Sequence, residues 1–252
     1  MDLVETTRAR PAPADCAVVE LRQYTLRPGM RDVLIELFDR EFVEPQEAVG
    51  MSVLGQFRDL DDPERFVWLR GFPDMQARAT ALTAFYDGPV WAAHRDAARE
   101  TMVDTDDVLL LRPAAPGAGL SPSRARPLHG AGALPQALVT ATIHHLDDPA
   151  EDGFLAFHER VVEPALRAAG APALATLVTE PAANTYPRLP VREGERVLVR
   201  LARFLDRAAY DRHRTALERS PAWRLAAMEL EHALSRPPET LRLMPTARSA
   251  IR

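Results

Sequence analysis

Apolar and polar residues alternate along residues 16–26, CAVVELRQYTL, with the β-branched and aromatic content of a strand. The period then changes. From Pro28 to Pro45, PGMRDVLIELFDREFVEP places Met30, Val33, Leu34, Leu37, Phe38 and Phe42 along one helical face. Pro45 should stand near the end of that helix, because an interior proline costs ~3 kcal/mol. GMSVLGQFRDL and ERFVWLRGF predict two further strands joined by a turn at DLDDPE. PDMQARATALTAFY and GPVWAAHRDAARETM predict helices, each with a proline at its start, and DDVLLLRP a closing strand. The order is β-α-β-β-α-β, the split arrangement in which a four-stranded antiparallel sheet carries helices on one face.

The same pattern recurs. ELRQYTL (Glu20–Leu26) falls on TATIHHL (Thr140–Leu146), and EFVEP (Glu41–Pro45) on RVVEP (Arg160–Pro164). Further along, Asp74 falls on Asp206, Pro89 on Pro221, Trp91 on Trp223 and Pro113 on Pro245. The second offset is larger by roughly a dozen residues, and TEPAANTYPRLPVREGE (Thr179–Glu195) supplies them as an extended loop. The predicted architecture is α+β: two tandem ferredoxin-like units, 17–113 and 136–246, with their four-stranded sheets packed face to face into a barrel. A Pro/Gly-rich linker spans 114–135 and holds a solvated His129; residues 1–16 and 247–252 are tails. Each Trp of the repeat opens the last helix of its unit, where a large ring anchors that helix on the sheet. Neither unit is expected to fold alone, since one sheet face would be bare.

Composition removes several functions. All 31 basic side chains are arginine, against 36 acidic ones, so Schiff-base and phosphate-loop chemistry that depends on a lysine amine is excluded. The net charge of -5 offers no basic footprint for nucleic acid or anionic lipid. The richness in Ala, Arg and Pro fits a GC-rich bacterial genome. One cysteine, Cys16, forbids an internal disulfide, and its expected role is an inert thiol near the first strand. No apolar run reaches the ~20 residues of a membrane span, and the first residues show no export signal, so a cytoplasmic location is expected.

The stretches from ELRQYTLRPGMRDVLIELFDREFVEPQEAVGMSVLGQFRD through DPERFVWLRGF to GPVWAAHRDA resemble the NIPSNAP family, a branch of the dimeric α/β-barrel superfamily. The resemblance covers Val18 to Pro113. It implies the barrel fold and a pocket between sheet and helices; relatives in the wider superfamily include cofactor-free monooxygenases, lactone isomerases and haem enzymes. The second unit departs from the pattern: His144 replaces Tyr24, Asp147 and Asp148 stand near the Pro28–Gly29 position, and Ala226 replaces His94.

Strand parity nominates the chemistry. Val19 and Leu21 share one side of the first strand and Glu20, Arg22 and Tyr24 the other; Val67 and Leu69 likewise oppose Trp68 and Arg70. The apolar parity is assigned under the helices. Glu20, Arg22, Tyr24, Gln56, Arg58, Trp68 and Arg70 are then expected in the barrel interior as a lining for a small, planar, polar or anionic aromatic ligand. Tyr24 and Arg22 would hold oxygen charge, and His94, one helical turn after Trp91, would serve as acid or base. His144 would face the interior of the second unit and His145 the helices. His158, His213 and His232 fall on predicted helices. No HxH or HxxxH spacing suggests a metal site, and no dinucleotide or nucleophile-elbow motif is present. Three readings remain open: a cofactor-free oxygenase or isomerase, a noncatalytic ligand- or partner-binding protein, and a haem-binding barrel. Homo-oligomerisation is compatible with each.

Overall fold

The computed structural model describes residues 16–121, 126–146 and 151–252. The expected N-terminal tail up to residue 15, the middle of the linker, and Asp147 and Asp148 lie outside the described residues. The N-terminal half runs β1 (Val18–Leu26), α1 (Arg31–Leu37), a π-helical turn (Phe38–Phe42), α2 (Val43–Ala48), β2 (Ser52–Asp59), β3 (Arg65–Phe72), α3 (Met75–Tyr86), α4 (Pro89–Thr101) and β4 (Met102–Pro113). The C-terminal half repeats it: β5 (Leu138–His145), α5 (Glu151–Phe157), a π-helical turn (His158–Val162), α6 (Glu163–Ala168), β6 (Ala173–Thr179), β7 (Val197–Phe204), α7 (Arg207–Arg219), α8 (Pro221–Ala233) and β8 (Glu239–Pro245).

The eight strands close into one antiparallel barrel in the order β1-β3-β2-β8-β5-β7-β6-β4. Within each half the pairing is extensive, running from Val18↔Phe72 to Thr25↔Arg65 between β1 and β3 and from Leu138↔Phe204 to His145↔Val197 between β5 and β7. The seams between halves are short: Phe57↔Pro245 to Asp59↔Leu243, and Leu111↔Thr179 to Pro113↔Leu177. Side-chain packing inside the barrel, more than backbone pairing, therefore holds the halves together. That interior is a single apolar cluster, with Leu21, Val67, Leu69 and Leu109 from one half against Ile143, Val199, Leu201 and Leu243 from the other. Cys16 closes one end as a buried thiol, lying where a side chain on Gly71 would collide with its Sγ.

This reverses the expected parity. The aliphatic positions point into the barrel, and Tyr24 and Trp68 pack under the helices with Leu34, Phe38, Phe42 and Phe85. The physical reason is pairing. An enclosed barrel offers a charge no partner, whereas the helical layer brings its own polar groups to the outer face of the sheet.

The first helical segment ends at Ala48, shortly after Pro45, as expected. The π turn precedes Pro45, which sits in the first turn of α2, where the backbone register has already shifted. Pro164 repeats this in α6. The strand bearing the apolar interior has no solvent-compatible alternative face. Expressed without the C-terminal half, residues 16–121 should therefore self-associate through that face or fail to fold. Light scattering coupled to gel filtration checks this, and a stable monomer with cooperative unfolding would contradict it.

Candidate functional site

Alternation along β1 sends Glu20, Arg22 and Tyr24 to the helix side, and the register places Arg70, Trp68 and Phe66 opposite them on β3. Arg78 comes from α3, one turn after its N-cap Asp74, whose carboxylate accepts from the Ala77 N–H. Three guanidiniums converge on one carboxylate. Arg22 Nη1 and Arg70 Nε each donate to Glu20 Oε2 at 2.7 Å, and Arg78 Nε donates to Oε1 at 2.7 Å. Burial alone would raise the Glu20 pKa, but Arg70, Arg22 and Arg78 outweigh it and hold the carboxyl well below the usual range. Three cations against one anion leave two formal positive charges in excess among side chains that are at most 1% exposed. Arg70 Nη2 and Arg78 Nη2 are buried without partners.

The cluster backs an aromatic cavity of about 210 Å³ lined by Tyr24, Phe38, Phe42, Trp68, Tyr86 and Trp91, with Arg99, Thr105 and Asp106 also on its wall. The π turn supplies Phe38, whose ring lies 4.9 Å from that of Trp68. Arg22 Nε donates to the Tyr24 hydroxyl at 3.1 Å, and the Arg22 guanidinium stands 5.4 Å from the Tyr24 ring and 5.7 Å from the Trp68 ring. Burial raises the pKa of Tyr24, so its phenol stays protonated with a hydrogen to donate. Trp68 Nε1 is a second buried donor without a partner.

The other half closes this cavity. The loop between β6 and β7 crosses over so that Arg188, Leu189 and Pro190 join the lining. Arg78 Nη1 donates to Asn184 Oδ1 at 2.9 Å and to Thr185 Oγ1 at 3.2 Å, Tyr186 stacks on Tyr86 at 6.0 Å, and Arg188 pairs with Asp87 at 2.6 Å. The extra residues of the second repeat thus serve the first.

The C-terminal half holds a separate cavity of about 410 Å³ whose wall includes Thr140, Thr142, His144, Arg200, Tyr210 and His213. Arg200 Nε donates to Glu163 Oε2 at 2.7 Å, and Arg200 also donates to the Ala171 carbonyl. Burial pushes the pKa of His144 down to about 4, and burial with His144 close by pushes His158 to about 4. Their rings lie 5.7 Å apart, and His144 Nδ1 and His158 Nε2 are buried without partners. Among the described residues, no three His, Cys, Asp or Glu side chains are grouped to hold a metal ion.

Residues 19–116 match the family model described as NIPSNAP. The N-terminal half carries a NIPSNAP domain. Three solved structures share the full-length fold. One, a putative monooxygenase from Fusobacterium nucleatum, is 10% identical, with 92% of this chain and 93% of that chain covered and a TM-score of 0.56. A putative monooxygenase from Lactobacillus acidophilus is 11% identical over 96% of this chain and 99% of that one, with a TM-score of 0.55. An anthrone oxidase-like protein is 13% identical over 94% of each chain, with a TM-score of 0.58. No curated protein matches the chain. Among the described residues, no helix is long and apolar enough to cross a membrane.

The NIPSNAP domain brings five of the expected residues together, Glu20, Arg22, Tyr24, Trp68 and Arg70, under its helices and outside the barrel interior. Gln56 is buried elsewhere, between Asp39 at 2.9 Å and Arg126 at 3.0 Å, where it ties the region after β4 to the sheet. Arg58 pairs with Asp32 at 2.6 Å near the surface. His94 points to Glu41 at 3.3 Å, with its ring 6.3 Å from Phe42, and does not line the cavity. His144 faces the helices, against His158 and Phe154, while His145 lies on the barrel parity at the strand end, beside Glu195 and Arg236. Sequence reasoning missed Arg78, Arg200 and the crossing loop. Only the repeat's extra residues hinted at that loop; a lone helix arginine and an unmatched strand arginine carry no signal of their own.

Two acid-range behaviours follow. His144 and His158 have folded pKa values depressed from 6.5 to about 4, so each contributes stability that is present above pH 6.5 and lost as pH falls toward 4. Glu20, also depressed, adds a loss that sets in below its ordinary value of 4.5. Urea unfolding across pH 7.5 to 4.5 should show falling stability, and His158→Phe should flatten the slope; a flat wild-type profile would contradict the buried neutral histidines. Glu20→Gln should cost about 3–5 kcal/mol at neutral pH, because three buried guanidiniums lose their counter-charge.

Proposed function

We propose that the protein binds a small planar aromatic anion in the cavity of its NIPSNAP domain, and that the arginine cluster behind Tyr24 and Trp68 stabilises oxygen charge on that ligand. The observation that carries this reading is the buried excess of two positive charges in a cluster whose Arg22 hydrogen-bonds the Tyr24 hydroxyl and stands over the Trp68 ring on the wall of an aromatic box. An uncompensated buried cation costs several kcal/mol, and an anion seated against it recovers part of that. The Tyr24 phenol and the Trp68 indole are donors polarised by Arg22, so they would present hydrogen bonds to an enolate, phenolate or carboxylate oxygen.

Such electrostatics suit an oxygenase or isomerase without a tightly bound cofactor, whose reacting form is an electron-rich anion. Because His94 stands outside the cavity, no imidazole among the described residues lines it to take a proton there, and the favoured ligand is one already ionised at neutral pH. The same observation favours a second reading, a noncatalytic binder for that anion. We further infer that the two halves are tandem ferredoxin-like units, 17–113 and 136–246, joined through 114–135; their matching order of elements and paired π turns support a duplication.

Calorimetric titration at pH 9, where the phenol is ionised, should show 4-nitrophenolate binding at least tenfold more tightly than 4-nitroanisole, the same ring without the charge. Arg22→Met should weaken the anion by roughly tenfold or more and leave the ether unchanged. Equal binding of the two would sink the proposal. Oxygen uptake with ionised hydroxy-aromatics as substrates separates turnover from binding alone.

A further inference from the structure

The two cavities occupy corresponding places, and their linings differ in one systematic way. Where β1 and β3 pair Glu20 with Arg70, β5 and β7 pair Thr140 with Ala202. Where Arg22 faces Trp68, Thr142 faces Arg200. Arg78, four residues after the N-cap Asp74, corresponds to Tyr210, four after the N-cap Asp206. Each of the four charges in the NIPSNAP cluster is thus replaced by a hydroxyl or a methyl group. The one guanidinium introduced, Arg200, is committed to Glu163 and to the Ala171 carbonyl, so the inner wall carries no net charge. Farther out, Arg214 and Glu231 contribute opposite signs.

Among the polar side chains described on this wall, His144 is the one with a buried atom left without a partner. It is 3% exposed, lines the 410 Å³ cavity, and keeps its Nδ1 without a hydrogen-bond partner. Thr142 and Thr240 satisfy each other at 3.2 Å, and His213 Nδ1 is engaged by the Ala169 carbonyl at 3.0 Å. Leaving a buried acceptor open is unfavourable, and a ligand donor would recover that loss. Phe204, Leu217, Trp223 and Leu230 supply flat apolar walls.

We propose that the C-terminal cavity is a second, chemically distinct ligand site that takes an uncharged hydroxy-aromatic compound, with its hydroxyl donating to the imidazole of His144. Burial keeps that imidazole neutral at physiological pH, with its pKa pushed down to about 4, which makes it an acceptor and not a counter-ion. Arg200, His145 and the Leu198 backbone carbonyl act on it, the Leu198 carbonyl favouring a ring N–H on one nitrogen and leaving the other to accept; His158 lies 5.7 Å away, His213 and Tyr210 share the cavity wall, and the Arg200–Glu163 pair is internally neutral. The site stands independently of the anion cavity. One half would select ionised ligands and the other un-ionised ones.

The test uses the full chain, titrated calorimetrically at pH 7.5 with 2-naphthol, 2-methoxynaphthalene and 2-naphthoate. The naphthol should bind at least tenfold more tightly than its methyl ether. His144→Phe should reduce the naphthol to the level of the ether while leaving the ether, and 4-nitrophenolate titrated separately at pH 9, as in wild type, and His144→Gln, which restores an amide acceptor, should recover part of the loss. Arg22→Met should leave naphthol binding unaltered, which separates this site from the anion cavity whatever the fate of that proposal. Equal affinity for naphthol and ether, naphthol binding that ignores His144→Phe, or preferential binding of the naphthoate at a His144-dependent site would each overturn the inference. So would a Soret band lost on His144→Phe, which would make His144 a haem ligand.

Discussion

A closed barrel of eight strands has room at its centre for aliphatic side chains and no partner for a charge. Charged side chains in the middle of the strands must therefore go to the outer face, where helices and loops can meet them; Gln23 and His145, on the inward parity, stand at strand ends. Glu20 shows how this works: its carboxylate sits on the outside of β1 and collects guanidiniums from its own strand, from β3 and from α3. The apolar interior fixes the parity of every strand, and the parity places both cavities between sheet and helices. It also makes the halves interdependent, because the interior of each is completed only by the other.

The order of elements was legible because it rests on local signals: alternation, helical stripes, prolines at helix starts and a turn rich in Asp and Pro. The matching order of elements in the two halves was legible too, with the long loop falling between β6 and β7. Which face of each strand looks inward was not. Val19 and Leu21 against Glu20 and Arg22 states only that the two faces differ, and a sheet covered on both sides has two buried faces. Deciding between them requires knowing that Arg78 lies within 2.7 Å of Glu20, a contact between residues far apart in sequence. His94 misled for a related reason. Its spacing from Trp91 is right for a shared helical face, but Phe42 fills the place beside the cavity and leaves the imidazole to Glu41.

The π turns show how a small backbone irregularity becomes a functional asset. Each shifts the helix register one turn before a proline and rotates a ring over the sheet: Phe38 onto Trp68 in the first half, His158 onto His144 in the second. The same device sets an apolar ring over the wall of one cavity and an imidazole beside His144, which lines the other. A phenylalanine in the first half leaves the field of the arginines undiluted, whereas the histidine in the second accompanies an uncharged wall.

The loop between β6 and β7 ties these differences into one molecule. Its Asn184 and Thr185 accept from Arg78 Nη1, and Arg78 Nε donates to Glu20, so the geometry of the charge cluster in the NIPSNAP domain depends on residues from the other half. A homodimer of identical single units could not assign a long loop to one copy and a short one to the other. Fusing the units in one chain removes that restriction: the loop can lengthen on one side only, one cavity can keep its charges while the other loses them, and the shared barrel interior holds both in register. The division of the chain into a charged and a neutral site is thus a property that the covalent join makes available.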